Sequence, residues 1–311
     1  QSFFGIGGSI FSLLLAQVIF SQVAQISHRY LLLGGISAVI MVLAIYICVW
    51  GTKRRYMVME RERSQVQRPP GLPIFQQVQI ALSNKPFLYL VGIYLFSWLS
   101  LQLTAAIIPY FVTKWMGLSL EQFNLMALVF QGTGLLMMFG WSLLAQRVGK
   151  QAVYSLGVPL TMIALGGLLF LQPGQVNLMY IWGAIAGFGA ATVYLIPNSM
   201  LPDVIDLDEL NTGQRREGIF YGFVVQIQKI AVAFSVFMVG QILDWSGYIP
   251  VAEGLSTLQP PSALWAIRLI TGLVPSLLLG VGLILVFFYP ITPSRHAEIM
   301  LQLQERRSEN L

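Results

Sequence analysis

Charge is what this sequence has least of. Lysine, arginine, aspartate and glutamate make up 10% of its 311 residues, where a water-soluble domain carries about 25% to keep its surface wetted. Hydrophobic residues reach 56% and the mean hydropathy is +0.71, so the chain cannot cover a water-facing surface. Cysteine is nearly missing too. Cys48 stands alone in an apolar run, which excludes an internal disulfide framework and a cysteine-based metal site. The two histidines, His28 in a loop and His296 in the tail, have no metal-ligand company in sequence. No H-E-x-x-H, G-x-S-x-G or P-loop pattern occurs, which argues against membrane hydrolases and ATP-driven pumps. Gly187-Phe188-Gly189 is no dinucleotide fingerprint, because no strand-helix-strand unit surrounds it. A pI near 9.4 does not point to nucleic acid either, since the basic residues sit in short segments between apolar runs rather than on one face.

Long apolar runs are what the sequence has in abundance. A membrane-crossing helix needs roughly 20 mostly apolar residues. Eight stretches qualify: about 2–25, 30–51, 86–113, 121–146, 151–172, 176–201, 219–243 and 262–290. They are continuous and rich in Leu, Ile, Val, Met and Phe, without the period-two alternation of barrel strands, so the expected class is an all-α integral membrane protein embedded in a lipid bilayer. The connections alternate in charge. One set holds Lys53, Arg54, Arg55, Arg61, Arg63, Arg68, Lys85, Arg147, Lys150, Arg215, Arg216, Arg295, Arg306 and Arg307, fourteen of the eighteen cations; the opposite set holds Arg29 and Lys114. By the positive-inside rule the first set is expected to be cytoplasmic, with the cell (inner) membrane as the expected location.

One long connection, from Thr52 to about Asn84, divides the spans into two before and six after. Major facilitator transporters are built as two six-helix halves of inverted three-helix repeats, commonly joined by a long cytoplasmic loop. On that plan residues 1–51 are the last two helices of an N-terminal bundle, 52–85 the central loop, 86–290 a six-helix C-terminal bundle and 291–311 a cytoplasmic tail. The chain opens on Gln1 and enters an apolar stretch at once, so we expect a fragment whose partner is the four N-terminal helices of the same protein, eight spans of twelve being present. A non-transporting eight-helix scaffold or subunit is the rival from another class.

Lys229 is the sharpest single signal. It lies about ten residues into the span 219–243, where a charge costs roughly 2.5–3.5 kcal/mol on insertion scales. One reading puts its ammonium in a water-filled cavity beside a substrate or ion-binding carboxylates; the other is a lysine that snorkels or pairs for structure. Gln226 shares its face one turn away and Gln228 is adjacent, as on a cavity wall. A second signal is the segment 200–218, which holds Asp203, Asp206, Asp208, Glu209 and Glu217, five of the thirteen acids, together with Arg215 and Arg216. We expect a charge network there that closes the cytoplasmic side in one state and breaks in another; plain topology anchoring is the alternative.

The remaining polar residues are weaker signals. Ser97, Ser100 and Thr104 form a helical stripe, and Asn124 and Gln131 lie seven apart; such stripes either glue helices together or line a cavity. Asn198 and Ser199 follow Pro197, where a broken helix is a possible cavity wall. Gly183 and Gly187 suggest close helix packing. Arg268, near the outer end of the last span, is expected to anchor at the interface.

The stretch Met200-Leu-Pro-Asp-Val-Ile-Asp206 through Thr212-Gly-Gln-Arg-Arg-Glu-Gly218, then Phe220-Tyr221 and Lys229, resembles the helix 10–11 connection of the glycoside-pentoside-hexuronide cation symporters. This is the family of melibiose permease, related to the vertebrate sodium-dependent lysophosphatidylcholine symporter. The tail from Tyr289 to Glu298 is similar to its C-terminal pattern, and Arg147-Val-Gly-Lys150 resembles the basic loop of major facilitators, with Gln146 where Asp is usual. The resemblance runs from helix 5 to helix 12. It implies a major facilitator fold and cation-coupled symport of a small-molecule substrate, a sugar or glycoside, with a lysolipid or other amphiphile as the alternative. It also implies that Lys229 lies by the cation and sugar sites and that Tyr194 takes the place of a sugar-stacking tryptophan. Val224 and Val225 stand where the permease presents a glutamine and a threonine to the sugar. No cofactor is expected beyond a coupling sodium ion or proton, whose acidic ligands sit on family helices 2 and 4, outside this chain. The expected cavity set is thus Lys229, Gln226, Gln228, Tyr194, Asn198 and Gln131, and the gate set Asp203, Asp206, Arg215, Arg216 and Glu217.

Overall fold

A computed structural model describes residues 2–23, 25–63, 73–250 and 258–309. Its regular elements are all helices: α1 (Ser2–Gln22), α2 (Ile26–Arg63), α3 (Ile74–Ser83), α4 (Lys85–Tyr110), α5 (Leu120–Val148), α6 (Lys150–Phe170), α7 (Val176–Thr212), α8 (Glu217–Trp245), α9 (Pro261–Phe287) and α10 (Pro293–Glu309). A π-helical turn, Phe111–Trp115, extends α4. Eight of the helices, α1, α2 and α4 to α9, are long and apolar enough to cross a membrane, in agreement with the runs read from sequence. The chain is an all-α, multi-pass membrane protein.

Hydropathy and helix ends part company at two of these spans. The apolar run 176–201 ends before the acids, yet α7 continues to Thr212, so Asp203, Asp206, Asp208 and Glu209 are carried on a helix and not on a loop. α2 likewise continues through Arg63, into the segment read as a connection. A helix satisfies its own backbone whether lipid or water surrounds it, so a change in polarity does not end it. Gly213, at φ 71°, ends α7, and its N–H donates to Glu209 O at 2.8 Å.

Two compact units divide the chain, 7–77 on one side and 1–6 with 78–311 on the other. In the first, the turn between α1 and α2 is stitched by Arg29, whose Nε donates to Val23 O at 2.5 Å while its guanidinium lies 5.8 Å from the Phe20 ring centre.

The second unit is a six-helix bundle whose neighbour pattern repeats internally. α4 packs on α8 and α9, α7 packs on α5 and α6, and α4 meets α7 as α6 meets α9. Exchanging α4, α5, α6 for α7, α8, α9 returns the same set of neighbours. Three spans per repeat invert the second relative to the first, which is the inverted repeat of a major facilitator half. Small residues let the central helices approach. A Cβ at Gly187 would stand 2.1 Å from Phe130 O on α5, whereas one at Gly183 would meet only the Met126 side chain at 3.5 Å. Ser97 and Ser100 act as interhelical glue, Ser97 sharing a 2.5 Å bond with Tyr154 of α6 and Ser100 donating to Pro275 O of α9 at 2.9 Å. Thr104 bonds its own helix, at Ser100 O.

Candidate functional site

At the middle of the bundle three helices meet through one phenol. Tyr94, on the tenth position of α4, donates from its hydroxyl to Asn198 Oδ1 of α7 at 2.5 Å and accepts from Gln228 Nε2 of α8 at 2.9 Å. Asn198 also donates from Nδ2 to Tyr194 O one turn back, at 2.8 Å. Beside this chain Trp98 stands edge-on to Tyr194, with ring centres 5.6 Å apart and an interplanar angle of 88°. Its Nε1 is buried and has no hydrogen-bond partner among the described residues. The cluster therefore pairs an aromatic wall with amide and hydroxyl groups at mid-span. α7 runs unbroken through Pro197, so Asn198 reaches this position from a continuous helix and not from a break.

The other expected cavity residues fall differently. Gln228 faces inward to Tyr94, but Gln226 and Lys229 lie on the exposed side of α8 with Tyr221 and Val225, while Val224 is buried. Among the described residues Lys229 makes no hydrogen bond or ion pair. Gln131 is half-buried on α5, the helix that packs on α7. Tyr94 and Trp98 were not expected. Their spacing of four on α4 was the available signal, and an apolar run disguises it because aromatic residues count as hydrophobic.

The residues expected to form a gate cluster in ion pairs at the basic end of the bundle, where α5 turns into α6 and α7 into α8. Arg216 makes a two-pronged contact with Asp208, at 3.0 and 3.1 Å. Arg215 serves three carboxylates, Glu217 at 2.6 Å, Glu209 at 2.7 Å and Asp206 at 3.2 Å. The hydrogen bonds it donates to Glu217 and Glu209 push its guanidinium above the usual arginine range, so it stays charged at every working pH. Lys150, at the start of α6, donates to both oxygens of Asp203 at 2.7 Å and to Ser199 O at 2.7 Å. His296, which has no charged neighbours in sequence apart from Arg295, reaches this network in space: its Nε2 is 3.4 Å from both Asp203 and Asp206. Burial, and then the charge of Asp203, push the Tyr289 phenol above its ordinary value.

Arg268 departs from the interfacial anchor expected of it. It is 9% exposed, its Nε and Nη2 donate to Leu169 O at 3.0 and 2.6 Å, and its guanidinium lies 4.3 Å from the Trp115 ring and 4.7 Å from the Trp265 ring. The C-terminal carbonyls of α6 attract a cation, and two indoles replace the water it loses.

A six-helix unit with an internal inverted repeat has the architecture of a major facilitator half. The profile of the family described as MFS/sugar transport protein matches residues 1–293, and the chain belongs to that family. An uncharacterised symporter of Synechocystis sp., sll1374, is 44% identical over 310 residues, covering 96% of this chain and 57% of that protein. The sodium-dependent lysophosphatidylcholine symporter 1 of Mus musculus is 29% identical over 285 residues, covering 91% and 51%. The uncharacterised symporter YjmB of Bacillus subtilis is 26% identical over 278 residues, covering 89% and 58%. The chain spans about half the length of the curated relatives it matches.

Proposed function

We propose that the chain is part of a cation-coupled symporter, not an enzyme, that moves a sugar or glycoside by alternating access, with its basic end in the cytoplasm of a cell (inner) membrane. The observation that carries this reading is the Tyr94–Asn198–Gln228 bridge beside the Trp98 and Tyr194 rings, inside the membrane-length helices α4, α7 and α8. A sugar presents apolar C–H faces to an aromatic ring and needs its hydroxyls paired once desolvated. Gln226 and Lys229, exposed on α8, supply further donors. The coupling ion, sodium or a proton, is bound by acids on the part of the relatives' length that this chain does not span. Symport is supported by the relatives' names.

A lysolipid or other amphiphile is the second reading. Val225 stands 48% exposed one turn from Lys229, placing apolar surface next to a single charge, and the mouse relative is named for a lysophospholipid. Full-length protein in proteoliposomes, given labelled glycosides or labelled lysophosphatidylcholine under an imposed sodium or proton gradient, separates the two. Gradient-dependent accumulation of a glycoside supports the first reading and accumulation of the lysolipid alone replaces it with the second. Accumulation of neither, by protein whose fold is verified, overturns symport of these classes.

A further inference from the structure

Helix α10 lies along α7, held by an apolar face and two polar clasps. Ile299 and Leu303, 0% and 4% exposed, form the apolar face, and His296 lies on the same stripe one turn earlier. At its C-terminal part Arg306 donates from Nη1 to Leu210 O at 2.9 Å. At its N-terminal part His296 presents Nε2 to Asp203 and Asp206, 3.4 Å from an oxygen of each.

Several titratable and charged groups face that imidazole. α7 contributes Asp203 and Asp206, α6 contributes Lys150, the turn before α8 contributes Arg215, and the link from α9 contributes the Tyr289 phenol. Arg295, on α10 itself, pairs with Glu298 at 3.0 Å. The ion pairs of this network join five acids, Asp203, Asp206, Asp208, Glu209 and Glu217, to three cations, Lys150, Arg215 and Arg216. We propose that α10 is a proton-sensitive strap, docked on α7 by the imidazolium of His296 and loosened when that ring is neutral.

The sign follows from the geometry. An imidazolium attracts both carboxylates, and a hydrogen bond to a charged group is the stronger kind. A neutral ring keeps one N–H, for one carboxylate at most, and loses the charge that attracts both. Docking is therefore tight while the ring is protonated and weakens as rising pH removes that proton. A cavity of about 150 Å³ lined by His296, Lys150, Asp203, Tyr289 and Thr292 borders the ring, whose side chain is 30% exposed, so protons reach it. Asp206 is shared with Arg215, so a change of charge at His296 is felt at the α7–α8 turn. This inference goes beyond the transport reading and does not depend on it.

The test is thiol accessibility in the full-length protein in lipid nanodiscs, on a background without other cysteines. Leu303→Cys reports undocking, and Gln304→Cys, exposed on the same helix, corrects for the pH dependence of thiol chemistry. With a maleimide probe and no substrate, the Leu303→Cys to Gln304→Cys rate ratio is expected to rise about three- to tenfold from about pH 6 to about pH 8. His296→Gln should flatten that slope at the high-pH ratio, and His296→Arg should flatten it at the low-pH ratio. An unchanged slope in His296→Gln overturns the proposal, as does a parent protein whose ratio does not change with pH. Equal rates at Leu303→Cys and Gln304→Cys at every pH remove the docked helix altogether.

Discussion

Tyr94 and Asn198 lie 104 residues apart in sequence and share a 2.5 Å hydrogen bond, joining the two helices that the internal repeat relates, α4 and α7. Gln228 adds α8 to the same phenol. One hydroxyl thus registers three of the six helices at mid-span, where lipid offers no competing partner.

Tyr94→Phe keeps the ring and removes that registration. Asn198 Oδ1 loses its donor from α4, and Gln228 Nε2 loses its acceptor. The expected cost is about 1 kcal/mol, since interhelical hydrogen bonds in membranes are worth about 0.6 kcal/mol on average and reach about 1.7. Thermal unfolding in detergent measures it, and substrate binding should weaken more than stability falls. Equal binding with lowered stability would assign Tyr94 to structure alone.

Lys229 gives the reverse expectation. It is exposed and makes no polar contact among the described residues, so Lys229→Ala should shift bundle stability by less than about 0.5 kcal/mol. Concentrative uptake should nevertheless collapse, and Lys229→Arg should rescue it poorly, because a planar guanidinium does not replace a compact ammonium. Uptake and unfolding measured on the same preparations decide the matter. Normal accumulation by a well-inserted Lys229→Ala protein would leave this lysine without a transport role.

The fold was legible because a bilayer imposes a length on apolar runs, and all eight long runs appear as helices. Helix ends were less legible: α7 carries Asp203 to Glu209 past the point where hydropathy falls, since backbone hydrogen bonding and not side-chain polarity sets the end. Partnerships were the least legible. His296 stood in a tail with no ligand company in sequence, yet the break between α9 and α10 sets it beside Asp206, 90 residues away. Arg268 read as interfacial from its depth, because nothing in a linear sequence places Trp115 and Leu169 around it. Tyr94 and Trp98 were hidden for the opposite reason, as apolar residues in an apolar run.

Gly183 and Gly187 are four apart on α7 and should respond unequally. A methyl at Gly187 meets Phe130 O, a backbone atom that cannot move without its helix, whereas at Gly183 it meets the end of a flexible methionine at ordinary contact distance. Gly187→Ala is expected to cost about 1–3 kcal/mol, as overpacking does, and Gly183→Ala to be near neutral. Melting temperatures of the two variants in one detergent test the contrast; a neutral Gly187→Ala would mean that α5 and α7 separate more easily than their contact implies.

Arg215 sits where three carboxylates converge, and two of them come from the last turns of α7 while Glu217 opens α8. Arg215→Ala leaves those acids facing one another but does not touch the Lys150–Asp203 or Arg216–Asp208 pairs, so the bundle should fold. If the network is a gate, the variant changes the balance of inward- and outward-facing states and slows transport, with equilibrium substrate affinity changed by less than about threefold. Salt supplies an independent check. The Arg215 side chain is 44% exposed, so its contacts are screened by mobile ions. Raising salt from about 0.02 to 0.5 M should slow the parent protein toward the rate of Arg215→Ala, and should change the variant little. Because the surrounding carboxylates hold the guanidinium charged, this contact contributes no titration of its own on the alkaline side. Transport by Arg215→Ala at the parent rate, with the parent's salt response, would reduce the cluster to an anchor at the membrane surface.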